Sequence, residues 1–228
     1  MTVPDPIAER KYLEELVRDS KETRRLFSNK LKPEREKMVC RAFLRCIGVD
    51  FAEAELCIGT HEPVDIRFRN AAFQITEVLN EGRRRGVEHQ ARETKYRNAR
   101  AARDVMEPWS NPEPMKFPEI VTVTAKRLGK KFDKLGNQGC RGIDALVYIN
   151  LVNLRSGVYR YLYPAEFSQT YDLTKIRSQG WRSASVLMVP YATVLFATDA
   201  APSFLQEYRE RVLKAPDDIM GRNVRSLE

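Results

Sequence analysis

The chain has 228 residues, of which 43% are hydrophobic and 31% are charged, and its formal net charge is +8. The hydrophobic share is too high for a disordered chain, and no run of about 18 uninterrupted apolar residues offers a transmembrane helix. The amino terminus lacks the apolar segment of a signal peptide. We therefore expect one soluble domain over residues 1–228, in the cytoplasm and without a membrane partner.

The positive charge is concentrated in two stretches of the sequence. Residues 81–107 hold eight basic and five acidic residues, and residues 120–142 hold six basic residues and one acidic residue. A localised basic excess indicates a polyanionic partner, and nucleic acid is the first choice. A surface of solvated lysines and arginines is the alternative.

Two helices are predicted at the amino-terminal end, over residues 6–29 and from Pro33 to Gly48. Proline suits the first turn of a helix, and glycine commonly follows the last. The pattern then changes to the alternation of strands. A short strand over 56–60 precedes two strands, over 64–68 and 73–79, which form a hairpin.

The middle of the chain begins with a polar, basic segment. Residues 81–107 are rich in strong helix formers and predict a helical arm, and the four prolines of 108–118 predict an extended connection. A helix over 119–135 ends at Gly136. The nearly continuous apolar run 143–151 predicts a central strand that is covered on both faces.

The remaining elements complete a mixed sheet. Strands are predicted over 157–163, 185–190 and 192–198, an amphipathic helix over 203–214, and a loose tail after it. Helices, a hairpin, an inserted arm and further apolar strands together indicate an α/β fold, with a mixed central sheet flanked by helices.

The hairpin carries the residues that are best suited to chemistry. Asp65 lies on its first strand, and Gln74 and Thr76 lie on its second strand, opposite in phase to the apolar positions. A hairpin places these polar sides next to each other, so a carboxylate and an amide oxygen converge. Such oxygens suit Mg²⁺ or Mn²⁺. A solvent-facing alternation on an edge hairpin is the alternative.

Pro63-Val64-Asp65, Gln74-Ile75-Thr76 and the basic segment from Ala125 to Lys131 resemble the motif of the PD-(D/E)XK nuclease superfamily. The whole chain is also similar to an uncharacterised bacterial family that carries an endonuclease label. The resemblance implies a restriction-endonuclease-like core over about 33–155, a helical basic insert over about 81–118, and extra strands and a helix at the carboxyl-terminal end.

The resemblance also implies metal-dependent hydrolysis of nucleic-acid phosphodiester bonds. Asp65 and Gln74 would hold the cation with a glutamate, either Glu36 on the second helix or Glu53 before the hairpin. Gln74 and Thr76 replace the acid and the lysine of the motif. The missing positive charge would then come from the later helix, which carries the two candidates Lys126 and Lys130.

The basic residues that follow the hairpin are candidates for contact with a nucleic-acid backbone, because guanidinium groups match phosphate oxygens. The set comprises Arg83, Arg84, Arg85, Arg92, Arg100 and Lys131. The expected partner is DNA before RNA, and the resemblance is compatible with a homodimer. Two alternatives stay open, a nucleic-acid-binding protein without turnover and a protein-interaction scaffold that uses the basic helix.

Overall fold

The computed structural model describes residues 6–106, 114–152, 160–162 and 171–215. Its helices are α1 Pro6–Leu26, α2 Lys32–Cys46, α3 Arg85–Asn98, α4 Phe117–Cys140, α5 Thr174–Arg177 and α6 Ser203–Glu207. Its strands are β1 Leu56–Ile58, β2 Ile66–Phe68, β3 Ala71–Val78, β4 Pro114–Met115, β5 Asp144–Ile149, β6 Tyr161–Leu162, β7 Ser183–Met188, β8 Tyr191–Ala197 and β9 Val212–Lys214. None of the helices in these ranges is long and apolar enough to cross a bilayer.

The chain divides into two compact units. The first unit combines residues 1–35 with residues 81–110, so the predicted basic insert and the amino-terminal helix belong together. The second unit combines residues 36–80 with residues 111–228.

The first unit is built from α1 and α3, which pack against each other. At their contact, the carboxylate of Glu93 is buried and forms ion pairs with Arg24 and Arg97. The ring of His89 is also buried, and it stacks on the ring of Phe27 with a centroid distance of 4.7 Å. Ion pairs and an aromatic stack therefore stabilise the contact between α1 and α3.

The second unit is built on a seven-stranded mixed sheet in the order β1-β2-β3-β5-β7-β8-β9. The three central strands β3, β5 and β7 are parallel to one another, and the outer pairs are antiparallel. Strands β4 and β6 form a separate two-stranded parallel pair. The predicted α/β class with a mixed sheet is confirmed.

Helices cover both faces of this sheet. On one face, Phe43 and Leu44 of α2 pack with Phe73 and Ile75 of β3. On the other face, α4 packs on the sheet, and the shared core contains Ile120, Val121, Leu128, Ala145, Val147 and Val186. The strand β5 is buried along its whole length, as its apolar run predicts.

Two predicted helices differ from the structure. The helical arm is shorter than predicted, because α3 ends at Asn98 and the side chain of Asp104 accepts the backbone N–H groups of Arg100 and Ala101. The predicted helix over 203–214 is wrong. Only α6 is helical there, and β9 pairs with β8 beyond it.

A backbone turn explains the end of α6. Glu210 has a left-handed φ of 57°, and its N–H donates to the carbonyl of Val194 on β8 at 2.8 Å. This contact redirects the chain onto the edge of the sheet. The predicted strand over 157–163 is described only at β6, and the predicted tail after residue 215 lies outside the described residues.

Candidate functional site

The backbone around Asp65 is fixed by the start of the hairpin. The Asp65 N–H donates to the carbonyl of Phe73 at 2.8 Å, and its carbonyl accepts the N–H of Gly59 at 2.7 Å. A Cβ atom at position 59 would lie 1.8 Å from the carbonyl oxygen of Val64. Only glycine permits this approach, so Gly59 is one reason that Asp65 is held against β3.

The Asp65 carboxylate caps the free edge of β3. Strand β2 pairs with β3 only as far as Phe73, so the next N–H group on that side, from Ile75, needs another acceptor. Oδ2 of Asp65 accepts this N–H at 2.7 Å and also accepts the side-chain amide Nε2 of Gln74. The structure thus brings Asp65 and Gln74 together, with the amide nitrogen of Gln74 facing the carboxylate.

Gln74 and Thr76 lie on the sheet face that α4 covers. They are 5% and 4% exposed, and they alternate with Phe73 and Ile75, whose side chains pack on the opposite face. The predicted phase of the strand is therefore confirmed. The alternative of a solvent-facing hairpin is wrong for these two positions, because α4 packs over this face.

A residue that the sequence interpretation missed joins the site from α4. The Nε of Arg127 donates to the hydroxyl of Thr76 at 2.7 Å. The two predicted cations of this helix, Lys126 and Lys130, are exposed. The helical period could have identified Arg127, because it lies one turn after Val123, an apolar residue of the predicted helix that packs on the core.

The two candidate glutamates lie on other elements. Glu36 is half-buried on α2, the helix that packs on the opposite face of the sheet from Gln74. Glu53 is exposed and pairs with Arg41 at 2.7 Å. Within the described ranges, no group of three or more His, Cys, Asp or Glu side chains could hold a metal ion. Asp65 is thus the one carboxylate that the structure places against Gln74 among the residues it describes.

The three arginines after the hairpin have different environments in the first unit. The side chain of Arg83 is 9% exposed and pairs with Glu88, and the guanidinium of Arg85 lies 4.3 Å from the centre of the Phe27 ring. Arg84 is exposed. The run is therefore not a uniform set of solvent-facing charges.

The other predicted backbone-binding residues are distributed over both units. Arg92 is exposed on α3, whereas Arg100 is exposed beyond the end of that helix. The helical arm predicted over 81–107 therefore does not extend far enough to place Arg92 and Arg100 on one helix. Lys131 is half-buried on α4, in the second unit.

These features define an α/β protein with a mixed seven-stranded sheet and a carboxylate–amide pair on its hairpin. Residues 8–220 match a protein family that is described as "Putative endonuclease, protein of unknown function (DUF1780)". The match spans most of the chain, so the protein belongs to this family. The predicted kinship with a family that carries an endonuclease label is confirmed at this level.

Among solved structures, the chain is similar to PA4535 from Pseudomonas aeruginosa strain PAO1, a protein of unknown function that is described with the words "Monooxygenase Superfamily". The two chains are 25% identical, and the TM-score is 0.60 over 90% of this chain and 94% of the other. No curated protein has significant sequence similarity to the chain. The structural likeness supports the α/β fold.

Proposed function

We propose that the protein hydrolyses phosphodiester bonds of nucleic acid, DNA before RNA, at the site formed by Asp65, Gln74, Thr76 and Arg127. The observation that carries this proposal is the contact of Asp65 with Gln74, together with a positive charge nearby. That charge is the guanidinium of Arg127, which donates to Thr76, two residues after Gln74 on β3. The family description supports the same class of activity.

The donor set fits a hard divalent cation such as Mg²⁺ or Mn²⁺. A half-turn of the Gln74 amide would exchange its nitrogen for its oxygen, and two oxygen donors would then face one point. Such a pair suffices for Mg²⁺ only when water and substrate phosphate complete the coordination shell. When bound, the cation would polarise the phosphate and make the attacking water more acidic.

Arg127 supplies the positive charge that the motif lysine would otherwise provide. Its Nε is fixed by the Thr76 hydroxyl at 2.7 Å, so the plane of the guanidinium group is oriented by β3. The Nη atoms of a guanidinium match two phosphate oxygens. We propose that Arg127 holds the phosphate and stabilises the charge that develops on it.

A second candidate function is nucleic-acid binding without hydrolysis. Its supporting observation is that Oδ2 of Asp65 accepts two donors from the protein itself, Ile75 N–H and Gln74 Nε2. A neutral residue in place of the motif acid also weakens a site for a hard cation. In this case the hairpin would have a structural role, and basic residues outside it would bind the nucleic acid.

The test is nicking of supercoiled DNA with Mn²⁺, together with calorimetry of Mn²⁺ binding. We expect nicking by the wild type, none by Asp65→Asn and a strong reduction in Arg127→Ala. The exposed Asp133 of α4 provides the matched control, Asp133→Asn, which should retain activity. Salt-sensitive DNA binding without nicking by the wild type would favour the second candidate, and unchanged nicking in Asp65→Asn would exclude the proposed site.

Gln74→Glu gives a readout that does not depend on activity. Two adjacent carboxylates repel each other without a cation, so this variant should unfold at a lower temperature than the wild type in a chelator. Mn²⁺ should reverse the loss and bind about tenfold more tightly, which corresponds to about 1.4 kcal/mol. Weaker Mn²⁺ binding in this variant would show that Gln74 does not face the cation.

A further inference from the structure

A concave site lies in the second unit, between α5, the start of β7, the end of β8 and the turn after α6. The cavity has a volume of about 470 Å³, within the range of pockets that hold small molecules. The buried side chains of Trp181 and Phe196 contribute to its wall. The charged side chains that line it are Arg177, Arg209 and Glu210. The hairpin residues are not among those that line it.

Two of the charged residues are fixed by the backbone. The guanidinium of Arg209 donates to the carbonyls of Gln206 and Ala197 at 3.2 and 3.4 Å. Glu210 has a left-handed φ of 57°, and its N–H is held by Val194. A non-glycine residue in this conformation is strained, and such strain persists where the surrounding contacts enforce it, often at ligand sites.

The third charged residue is less constrained. The Nη2 of Arg177 lies 3.7 Å from the Glu210 carboxylate, which is longer than a hydrogen bond, and both side chains are more than half exposed. Burial, and then the charge of Glu210, raise the pKa of the Tyr171 phenol, which is not among the residues that line the pocket. The pocket therefore combines two cations, one carboxylate and an aromatic wall.

We propose that this pocket binds a nucleoside monophosphate. Arg177 and Arg209 match a phosphate group, whose oxygens pair with guanidinium donors. Glu210 opposes a purely anionic ligand but accepts hydrogen bonds from the amino group of a base. Guanine presents an amino group and a ring N–H side by side, which match the two oxygens of a carboxylate, and uracil has no amino group. Trp181 and Phe196 are 2% and 5% exposed, so they form a narrow apolar floor that the edge of a planar base can contact.

The test is calorimetric titration of the full chain with GMP, guanosine, UMP and inorganic phosphate. GMP should bind more tightly than guanosine, UMP or phosphate alone. Arg177→Ala should weaken GMP binding about tenfold and reduce the advantage of GMP over guanosine, because Arg209 alone is then left to hold the phosphate. Glu210→Gly should remove the advantage of GMP over UMP. Glycine accepts the left-handed conformation, so this variant should stay folded.

The exposed neighbour Arg211 provides the matched control, because Arg211→Ala removes an equal charge outside the pocket lining. No measurable GMP binding, equal binding of GMP and phosphate, or wild-type binding in Arg177→Ala would each overturn the proposal. Asp65→Asn should bind GMP normally, so a failure of the proposed hydrolysis leaves this test intact.

Discussion

His89 is a buried histidine among positive charges, and its environment favours the neutral ring. Burial, and then the charges of Arg92 and Arg85, lower the pKa of His89 to about 4, from an ordinary value of 6.5. Its stacking on Phe27 places it at the contact of α1 and α3. Protonation of this ring therefore opposes folding of the first unit.

This shift predicts an acid sensitivity with a defined range. Between about pH 6.5 and 4 the unfolded chain binds a proton that the folded chain does not, so the free energy of unfolding should decrease as the pH falls. The histidine should contribute a loss on the order of 3 kcal/mol by pH 4 and almost none above pH 7. Urea unfolding at pH 7.5, 6, 5 and 4 measures this decrease in the free energy of unfolding.

The variant His89→Phe should lose this part of the pH dependence, because phenylalanine retains the aromatic stacking and does not titrate. His61→Asn is the control, since His61 is exposed and outside the first unit. Equal pH profiles for the wild type and His89→Phe would contradict the assignment.

The candidate site shows which residues a strand pattern can predict. The contact of Asp65 with Gln74 follows from the pairing of two strands, and the alternation of β3 gave the correct face for Gln74 and Thr76. Arg127 was missed because the choice among neighbouring basic residues on one helix depends on the rotation of α4 over the sheet. That rotation is set by tertiary packing rather than by local sequence.

At the scale of elements, the segment around α3 carries two kinds of arginine. Arg83 and Arg85 contact Glu88 and Phe27, so their side chains contribute to the packing of the first unit. Arg84 and Arg92 are exposed. Charge counting along the sequence cannot separate these roles, because both kinds add equally to the net charge.

Alanine substitutions should separate the two kinds of arginine. Arg84→Ala with Arg92→Ala should leave the unfolding free energy unchanged and weaken DNA binding for all sequences alike, because phosphate contacts carry no base information. The slope of log affinity against log salt should decrease by about one for each lost contact. Fluorescence anisotropy at several salt concentrations measures both effects.

Arg83→Ala and Arg85→Ala serve as the comparison, and each should lower the unfolding free energy by about 1 kcal/mol through lost ion-pair or cation–π contacts. An unchanged salt slope in the Arg84/Arg92 variant would place the nucleic-acid surface elsewhere. The lysines of α4 would then be the next candidates.

The carboxyl-terminal elements show where local pattern failed. The apolar spacing of residues 203–214 is compatible with a helix, but the edge of β8 offers unpaired backbone groups, and β9 occupies them. Pairing with an available strand edge thus outweighed helix propensity, which is a weak preference.

At the scale of the molecule, one buried carboxylate connects the three central strands of the second unit. Asp144 begins β5, is 0% exposed and accepts the N–H of Ala72 on β3 at 3.0 Å. It also accepts the hydroxyl of Ser183 on β7 at 2.8 Å and the guanidinium of Arg182. The amino ends of the parallel strands are therefore joined through this side chain.

Asp144→Asn should lower the unfolding free energy of the second unit by about 3–5 kcal/mol, because it leaves Arg182 without its counter-charge and buried donors without acceptors. Urea unfolding followed by circular dichroism provides the measurement. Asp199→Asn, at an exposed position, is the control. A loss below about 1 kcal/mol would show that Asp144 is replaceable.

Most of the sheet could be predicted from the sequence, because β2 and β3 show the alternation of strands, and β5, β7 and β8 are apolar runs of strand length. The division into two units could not be predicted. The division depends on the packing of α1 on α3, although residues 27–84 separate these helices in the sequence. Their contact uses the polar side chains of Glu93 and His89, which a hydrophobic pattern does not reveal.

The same pairing has a consequence for the order in which the chain is synthesised. Translation proceeds at about 5–20 residues per second, so α1 leaves the ribosome several seconds before α3 exists. During this interval α1, which carries the half-buried Leu16 and Val17, lacks the helix on which it packs in the finished protein. The strands β2 and β3 are adjacent in sequence, so they leave the ribosome almost together and can pair without this delay. The two strands that bring Asp65 to Gln74 can therefore meet before α1 has its partner helix, whereas the sheet around β3 is completed only when β5 follows.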